Sequence, residues 1–153
     1  MKIELKNIKH SEFASRETNC FEAAIYINGK REGLVSNDGH GGCDHVTPWQ
    51  LAQEIDAYAK TLPPIVCEWN DPTTGKPMLL EQTHETIFGD LLTNWLIDKD
   101  LKRLMKTKTL FTRDGQLYEI SKAVRISPSE SIQILNNLPF DQARKIYKEN
   151  ANV

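Results

Sequence analysis

The sequence predicts an α+β fold, an antiparallel meander and a second hairpin with segregated helices, in one globular domain spanning 1–153. Three observations lead there. Asn28-Gly29 and Asp114-Gly115 each stand between strand-like runs, and such dipeptides mark hairpins because both central positions of a type I′ turn need φ > 0. Helical patterns cluster between and after the hairpins instead of alternating with single strands, which separates α+β from a parallel βαβ arrangement. With 39% hydrophobic and 26% charged residues, the chain carries enough apolar material for a packed core.

Taken in order, Ile3 and Leu5 alternate with charged neighbours and open the meander. Cys20 to Ile27 is rich in strand formers, and a return strand from Glu32 to Ser36 completes three strands. Ser36-Asn37-Asp38-Gly39-His40-Gly41-Gly42-Cys43-Asp44-His45 is too polar and glycine-rich for regular structure. Next, Thr47 reads as an N-cap, Pro48 as the first helical residue and Gln50 as the partner in a capping box. Leu51, Ile55, Tyr58 and Leu62 give that helix an apolar face, and Pro63-Pro64 stops it.

Ile65 to Trp69 forms a short strand, followed by a turn-rich loop from Asn70 to Pro77. A helix then starts near Thr83, with Ile87, Phe88, Leu91, Leu92, Trp95 and Leu96 on one side. Ile97, Leu101, Leu104 and Met105 fall on another face at about 100° per residue, which predicts a break or sharp kink at Asp98-Lys99-Asp100. Leu110–Arg113 and Leu117–Ile126 flank the second turn, with Tyr118, Ile120, Val124 and Ile126 in a period of two. Ser127-Pro128-Ser129-Glu130 has capping-box spacing and predicts a helix through Ile132 and Leu135; a last amphipathic helix carries Ala143, Ile146 and Tyr147. Trp49, Trp69 and Trp95 are expected to pack in the core.

No apolar run approaches the ~20 residues that cross a bilayer, and Met1-Lys2-Ile3-Glu4-Leu5 lacks the unbroken apolar core of a signal peptide. The expected location is cytoplasmic, with no membrane partner. Cys20, Cys43 and Cys67 are odd in number and widely spaced, so free buried thiols are expected. The net charge of −2 is unevenly spread: residues 1–100 hold 9 Lys/Arg against 16 Asp/Glu, and residues 101–153 hold 10 against 5. A basic third can mark a nucleic-acid surface or simply a solvated face.

The glycine-rich stretch is the candidate ligand- or partner-binding site, through Asn37, Asp38, Gly39, His40, Gly41 and Gly42. Its glycines free the backbone to aim N–H groups at an anion, although the lysine of a Walker loop and the dinucleotide glycine spacing are absent. The competing reading is that Asn37 and Asp38 bond to their own backbone and close the turn. His40, Cys43 and His45 are metal-capable types, yet no second ligand pair sits at finger or ribbon spacing. No cofactor is expected, and no nucleophile–base pair points to catalysis.

Leu117-Tyr118-Glu119-Ile120-Ser121-Lys122-Ala123-Val124-Arg125-Ile126-Ser127-Pro128-Ser129-Glu130, continuing to Asn136, resembles the helix-turn-helix of lac-repressor-type regulators. That resemblance implies Ile120, Val124, Ile126 and Ile134 in the motif core, and Ser127, Ser129 and Gln133 toward the DNA groove. Arg125 stands where the turn carries glycine, and Ser131 where the second helix buries an apolar side chain. The preceding Asp114-Gly115 turn and the period of two favour a strand over a first helix for 117–126, with the helix left open as the alternative.

Across most of the chain, Lys2-Ile3-Glu4-Leu5-Lys6, Ile25-Tyr26-Ile27-Asn28-Gly29-Lys30, the Ser36–Gly42 loop, Lys108-Thr109-Leu110-Phe111 and Ser127-Pro128 together resemble a family of small phage and bacterial proteins with no established activity. The resemblance implies accessory biology in which a small protein binds and blocks a host protein. The expected function is therefore a non-enzymatic protein acting through a protein partner, as a phage-encoded inhibitor or modulator of a host defence protein in the host cytoplasm. Two alternatives stand beside it: a nucleic-acid-binding protein using the basic C-terminal third, and a nucleotide or small-ligand binder using loop 36–45. The partner's identity and the oligomeric state are not legible at this level.

Overall fold

A computed structural model of the chain describes residues 1–151. The fold is α+β, with antiparallel sheets and three α-helices among the described residues. The chain gathers into two compact units, Met1–Leu92 and a second beginning at Thr93.

The first unit is built on four antiparallel strands in the order β1 (Ile3–Ser11), β2 (Cys20–Ile27), β3 (Lys30–Asp38) and β4 (His45–Thr47). Local chemistry makes the β2–β3 hairpin. Asn28 and Gly29 sit at φ 51° and 84°, the two positive values that a type I′ turn requires. Asn28 also ties the turn to β1, its Oδ1 accepting the Lys2 N–H at 2.8 Å and its own N–H donating to the Lys2 carbonyl at 2.8 Å.

β4 was not expected. It pairs Leu34 with Thr47, Val35 with Val46 and Ser36 with His45, so both ends of the Ser36–His45 stretch are strand and only its middle is loop. The same pairing corrects the helix start. Thr47 is the last residue of β4, Pro48 is extended, no side chain caps α1, and the helix runs over Trp49–Ala59. Leu51, Ile55 and Ala59 are buried on one face of α1, with Phe21, Ile25, Val35, Phe88 and Leu92 also buried in this unit. Trp49 is 61% exposed and Trp69 62% exposed, against the expectation that they pack in the core. Further along, β5 (Ile65–Asn70) and β6 (Pro77–Leu80) form a two-stranded ribbon that no third strand joins among the described residues.

The next helix, α2, is continuous over His84–Thr107 and runs unbroken through Asp98-Lys99-Asp100. Its start is held by a reciprocal box: the Thr86 N–H reaches Thr83 Oγ1 at 3.4 Å, and the Thr83 N–H reaches Thr86 Oγ1 at 2.9 Å. The change of apolar face that predicted a break has another cause. Phe88 and Leu92 are buried in the first unit, while Leu101 is buried in the core of the second. Asp98 caps nothing; it holds the Arg144 guanidinium, with Nη2 2.6 Å from Oδ2.

In the second unit β7 (Lys108–Arg113) lies between β8 (Gln116–Ser121) and β9 (Ile132–Ile134). The predicted Asp114-Gly115 turn is present, with φ 51° and 81°. Residues 122–131 carry no helix and no strand. Ile132 and Ile134 pair with Arg113 and Phe111 across β7, so the expected helix from Ser127 is instead a turn followed by a strand. A 3₁₀ turn over Leu135–Asn137 follows, then α3 (Phe140–Ala151). Leu101, Leu110, Leu135 and Ala143 form the buried centre. Asn136 locks β7 to this turn, accepting the Leu110 N–H at 2.8 Å and donating to the Lys108 carbonyl at 3.0 Å.

Candidate functional site

The glycine stretch does not stand alone. Between β1 and β2, residues 12–19 fold back onto it, and the two loops form one bonded unit. The Gly39 carbonyl accepts three successive N–H groups, from Arg16 at 3.1 Å, Glu17 at 3.0 Å and Thr18 at 3.4 Å. Consecutive amides that converge in this way make an anion-binding nest; here the main-chain carbonyl of Gly39 occupies it. Gly39 is at φ +85°, and a Cβ on it would be driven into the Ala14 carbonyl oxygen, well inside contact distance. Only glycine fits there.

Asn37 is the hub of this unit and is 7% exposed. Its Oδ1 accepts from Thr18 Oγ1 at 2.8 Å and from the Gly39 N–H at 2.9 Å. Its Nδ2 donates to the Gly42 carbonyl at 3.0 Å and to Asp44 Oδ1 at 2.9 Å. Asp38 Oδ1 accepts the His40 N–H at 3.2 Å, and the Gly41 N–H points to Thr18 Oγ1 at 3.3 Å. The amides of Gly39, His40 and Gly41 are therefore all engaged inside the chain. Such internal use is what the turn-closing reading of Asn37 and Asp38 requires, and it leaves those three amides no free donor for a phosphate.

Asp44 anchors the far end of the loop. Its N–H donates to Glu85 Oε1 at 2.9 Å. Burial pushes its carboxyl above the ordinary value of 3.8; the hydrogen bond from Asn37 opposes the rise, the Glu85 charge adds to it, and His84 and His45 oppose it. A cleft of about 210 Å³ lies beside it, lined by Thr18, Phe21, Asn37, Asp44 and Glu85. A larger, shallow groove of about 430 Å³ is lined by Lys9, Cys20, Glu22, Ser36, Asp38 and His45.

The remaining sequence candidates scatter. His40 is exposed, with Nδ1 3.5 Å from Asp38 Oδ1. Cys43 is exposed, and Cys20 and Cys67 are half-buried, so none of the three thiols is the buried core cysteine expected. Among the described residues no three His, Cys, Asp or Glu side chains gather in a metal-holding group, and His40, Cys43 and His45 do not converge. Ser127 and Ser129 are exposed in the loop after β8, and Gln133 lies on β9 opposite Thr112. The segment that resembled a helix-turn-helix is strand, loop and strand, because β7 pairs with it along both edges: Thr109 and Phe111 with Ile120 and Tyr118, Phe111 and Arg113 with Ile134 and Ile132.

Two histidines have partners of catalytic type, and neither completes a triad. Asp56 Oδ1 lies 2.8 Å from His84 Nδ1 and also accepts the His84 backbone N–H at 2.6 Å, which makes it a cap on α2. Ser15 Oγ lies 3.3 Å from His10 Nε2, yet it donates to the Ser11 carbonyl at 2.6 Å and accepts the Cys20 N–H at 2.8 Å. Its hydroxyl braces the β1–β2 loop.

Sequence reading missed two features. Phe13, at the tip of the braced loop, is 92% exposed; a lone aromatic inside Ser11-Glu12-Phe13-Ala14-Ser15-Arg16 that no periodicity claims was the available signal. The second is the β5–β6 ribbon, where Ile65, Val66, Trp69, Leu79 and Leu80 are all exposed. Among the described residues no helix is long and apolar enough to cross a membrane. No protein-family model matches the chain, and no curated protein and no solved structure matches it.

Proposed function

We propose that this chain is a non-enzymatic binding protein that acts through a protein partner, and that the partner docks on the paired loops with Phe13 as the anchor. The observation that carries this reading is a fully presented aromatic ring on a loop that is already fixed. Phe13 is 92% exposed, while the residues around it are tied by Ser15 to Ser11 and Cys20, by the Ala14 N–H to Ser11 Oγ at 3.2 Å, and by three amides to Gly39. Ordering a loop on binding costs affinity, so a loop held in advance favours tight association. Aromatic side chains entering a partner's pocket carry a large share of interface energy. His40 lies on the neighbouring loop and Asp38 at the end of β3 that leads into it, and both fit the polar rim of such an interface.

The resemblance to small phage and bacterial proteins adds a direction to this reading: a phage-encoded inhibitor or modulator bound to a host defence protein. The nucleic-acid alternative loses its helix-turn-helix, and the anion alternative loses the loop amides that would have held a phosphate. The test is capture of a partner from a bacterial host lysate by the full chain and by Phe13→Ala. A partner held by the parent chain and released by Phe13→Ala, with the melting temperature of the variant unchanged, supports the reading. Equal capture by both chains contradicts it.

A further inference from the structure

The β5–β6 ribbon is at odds with the physics of small sheets. A two-stranded ribbon is marginal by itself and needs a third strand or a covering element. Here Ile65 pairs with Leu80 and Val66 with Leu79, and the members of each pair share a face, so apolar side chains emerge on both faces. All four are exposed, and Trp69 with them. The register slips between Val66 and Asn70, leaving Cys67, Glu68 and Trp69 without a registered partner on β6.

The two edges of the ribbon differ. β6 is four residues long and begins with Pro77, which has no N–H to offer a neighbour. β5 is six residues, Ile65-Val66-Cys67-Glu68-Trp69-Asn70, with no proline, glycine or lysine. It lacks the residues that natural edges use to refuse another strand. Its one charge is Glu68, and the ends of the ribbon add Asp71 and Glu81 against Lys76. This strand edge is apolar and acid-biased.

We infer that the β5 edge is a strand-addition site for an extended, basic protein segment with apolar side chains at alternate positions. Main-chain hydrogen bonds to β5 supply affinity, and the ribbon's two faces hold the alternate side chains. Charge selects the occupant. A lysine- or arginine-bearing strand is attracted by Glu68, Asp71 and Glu81, whereas a second copy would bring the same carboxylates against themselves. The inference deepens the protein-partner reading by adding a second surface and its ligand class, and it is independent of Phe13.

The test uses the full chain and a fluorescein-labelled octapeptide, Lys-Val-Thr-Val-Lys-Val-Thr-Lys, read by fluorescence anisotropy. The expected result is saturable binding that weakens at least tenfold in Glu68→Lys and is unchanged in Phe13→Ala. The same peptide carrying N-methyl groups at alternate amides is expected not to bind, because its edge cannot pair; this control uses the unmodified protein and does not depend on how a variant folds. Equal binding of the N-methylated peptide overturns the inference, as does no binding at about 1 mM, the concentration of a very weak complex. A dimer of the parent chain in sedimentation that Glu68→Lys dissolves also overturns it, since the occupant would then be a second copy.

Discussion

The paired loops and the β5–β6 ribbon reverse what their compositions suggest. Residues 36–45 are glycine-rich and polar, the composition of a loop that turns freely and keeps its amides for a ligand. In the structure that loop is closed: Asn37 is buried with four hydrogen bonds, and the Gly39 carbonyl takes three amides from the neighbouring loop. Residues 65–70 and 77–80 have the composition of a core strand pair. They are the open part, with five large apolar side chains in water. Polar atoms in the loops have found partners within the chain, and the apolar surface of the ribbon has not. Unsatisfied surface, rather than unusual composition, is therefore what marks the places where another molecule is expected to dock.

The contrast breaks most sharply at Gly39. Gly39→Ala drives a Cβ into the Ala14 carbonyl oxygen and to 3.0 Å from the Cys20 Cβ, at a φ of +85°. Left-handed strain and overpacking add, and a loss of about 3 kcal/mol or more is expected in urea denaturation. A loss under about 0.5 kcal/mol would mean that the loops are not clamped together.

Gly29→Val comes next and separates strain from crowding. Gly29 shares the positive φ, at +84°, but a Cβ there would meet nothing within 4 Å. Conformational strain alone is expected, about 1–2 kcal/mol, and an unchanged denaturation midpoint would remove the type I′ turn from the account.

Asp44→Asn sharpens the electrostatic side. The folded-state pKa of Asp44 is raised above its ordinary 3.8 by burial first of all. Between the unfolded and the folded pKa the native state holds a proton that the unfolded chain has lost. The stability contributed by that proton is full below about 3.8 and is lost as pH rises through the folded pKa. Asparagine keeps an oxygen for Asn37 Nδ2 and carries no charge. Its stability relative to the parent is expected to be greatest at neutral pH and to shrink as pH falls through the titration of Asp44. A difference that stays constant between neutral and acid pH would contradict the burial of that carboxylate.

The smallest effects belong to exposed side chains. His40→Ala and Trp69→Ser are each expected to shift stability by no more than about 0.5 kcal/mol in thermal or urea unfolding. For Trp69 this is the informative result. A core tryptophan would cost about 3–5 kcal/mol on truncation to a small residue.

Much of the fold was legible because its signals are local. Asn28-Gly29 and Asp114-Gly115 specify their turns within four residues, and Leu51 with Ile55 specifies the buried face of α1. The elements missed are those decided by distant partners. Thr47 reads as a cap until Leu34 pairs with it, and Ser127-Pro128-Ser129-Glu130 reads as a helix start until Ile132 and Ile134 find β7. α2 reads as two helices because its two ends are buried in different units, which no periodicity within one helix can express. In the candidate site, Asn37 and Gly39 were identified by composition, yet their partners Thr18 and Ala14 belong to the preceding loop and carry no motif. Phe13 was missed because it belongs to no periodic run, and the ribbon because Trp69 reads as a core residue until its exposure is known.

Native-state hydrogen exchange on the full chain tests the contrast between loops and ribbon most directly. Slow exchange is expected at the amides of Arg16, Glu17, Gly39 and Gly41, which are bonded within the paired loops. Fast exchange is expected at Cys67, Glu68 and Trp69, which have no registered partner on β6. Fast exchange throughout loop 36–45 together with protection across β5 would contradict the account, since the glycine loop would then be the open site and the ribbon a settled part of the fold.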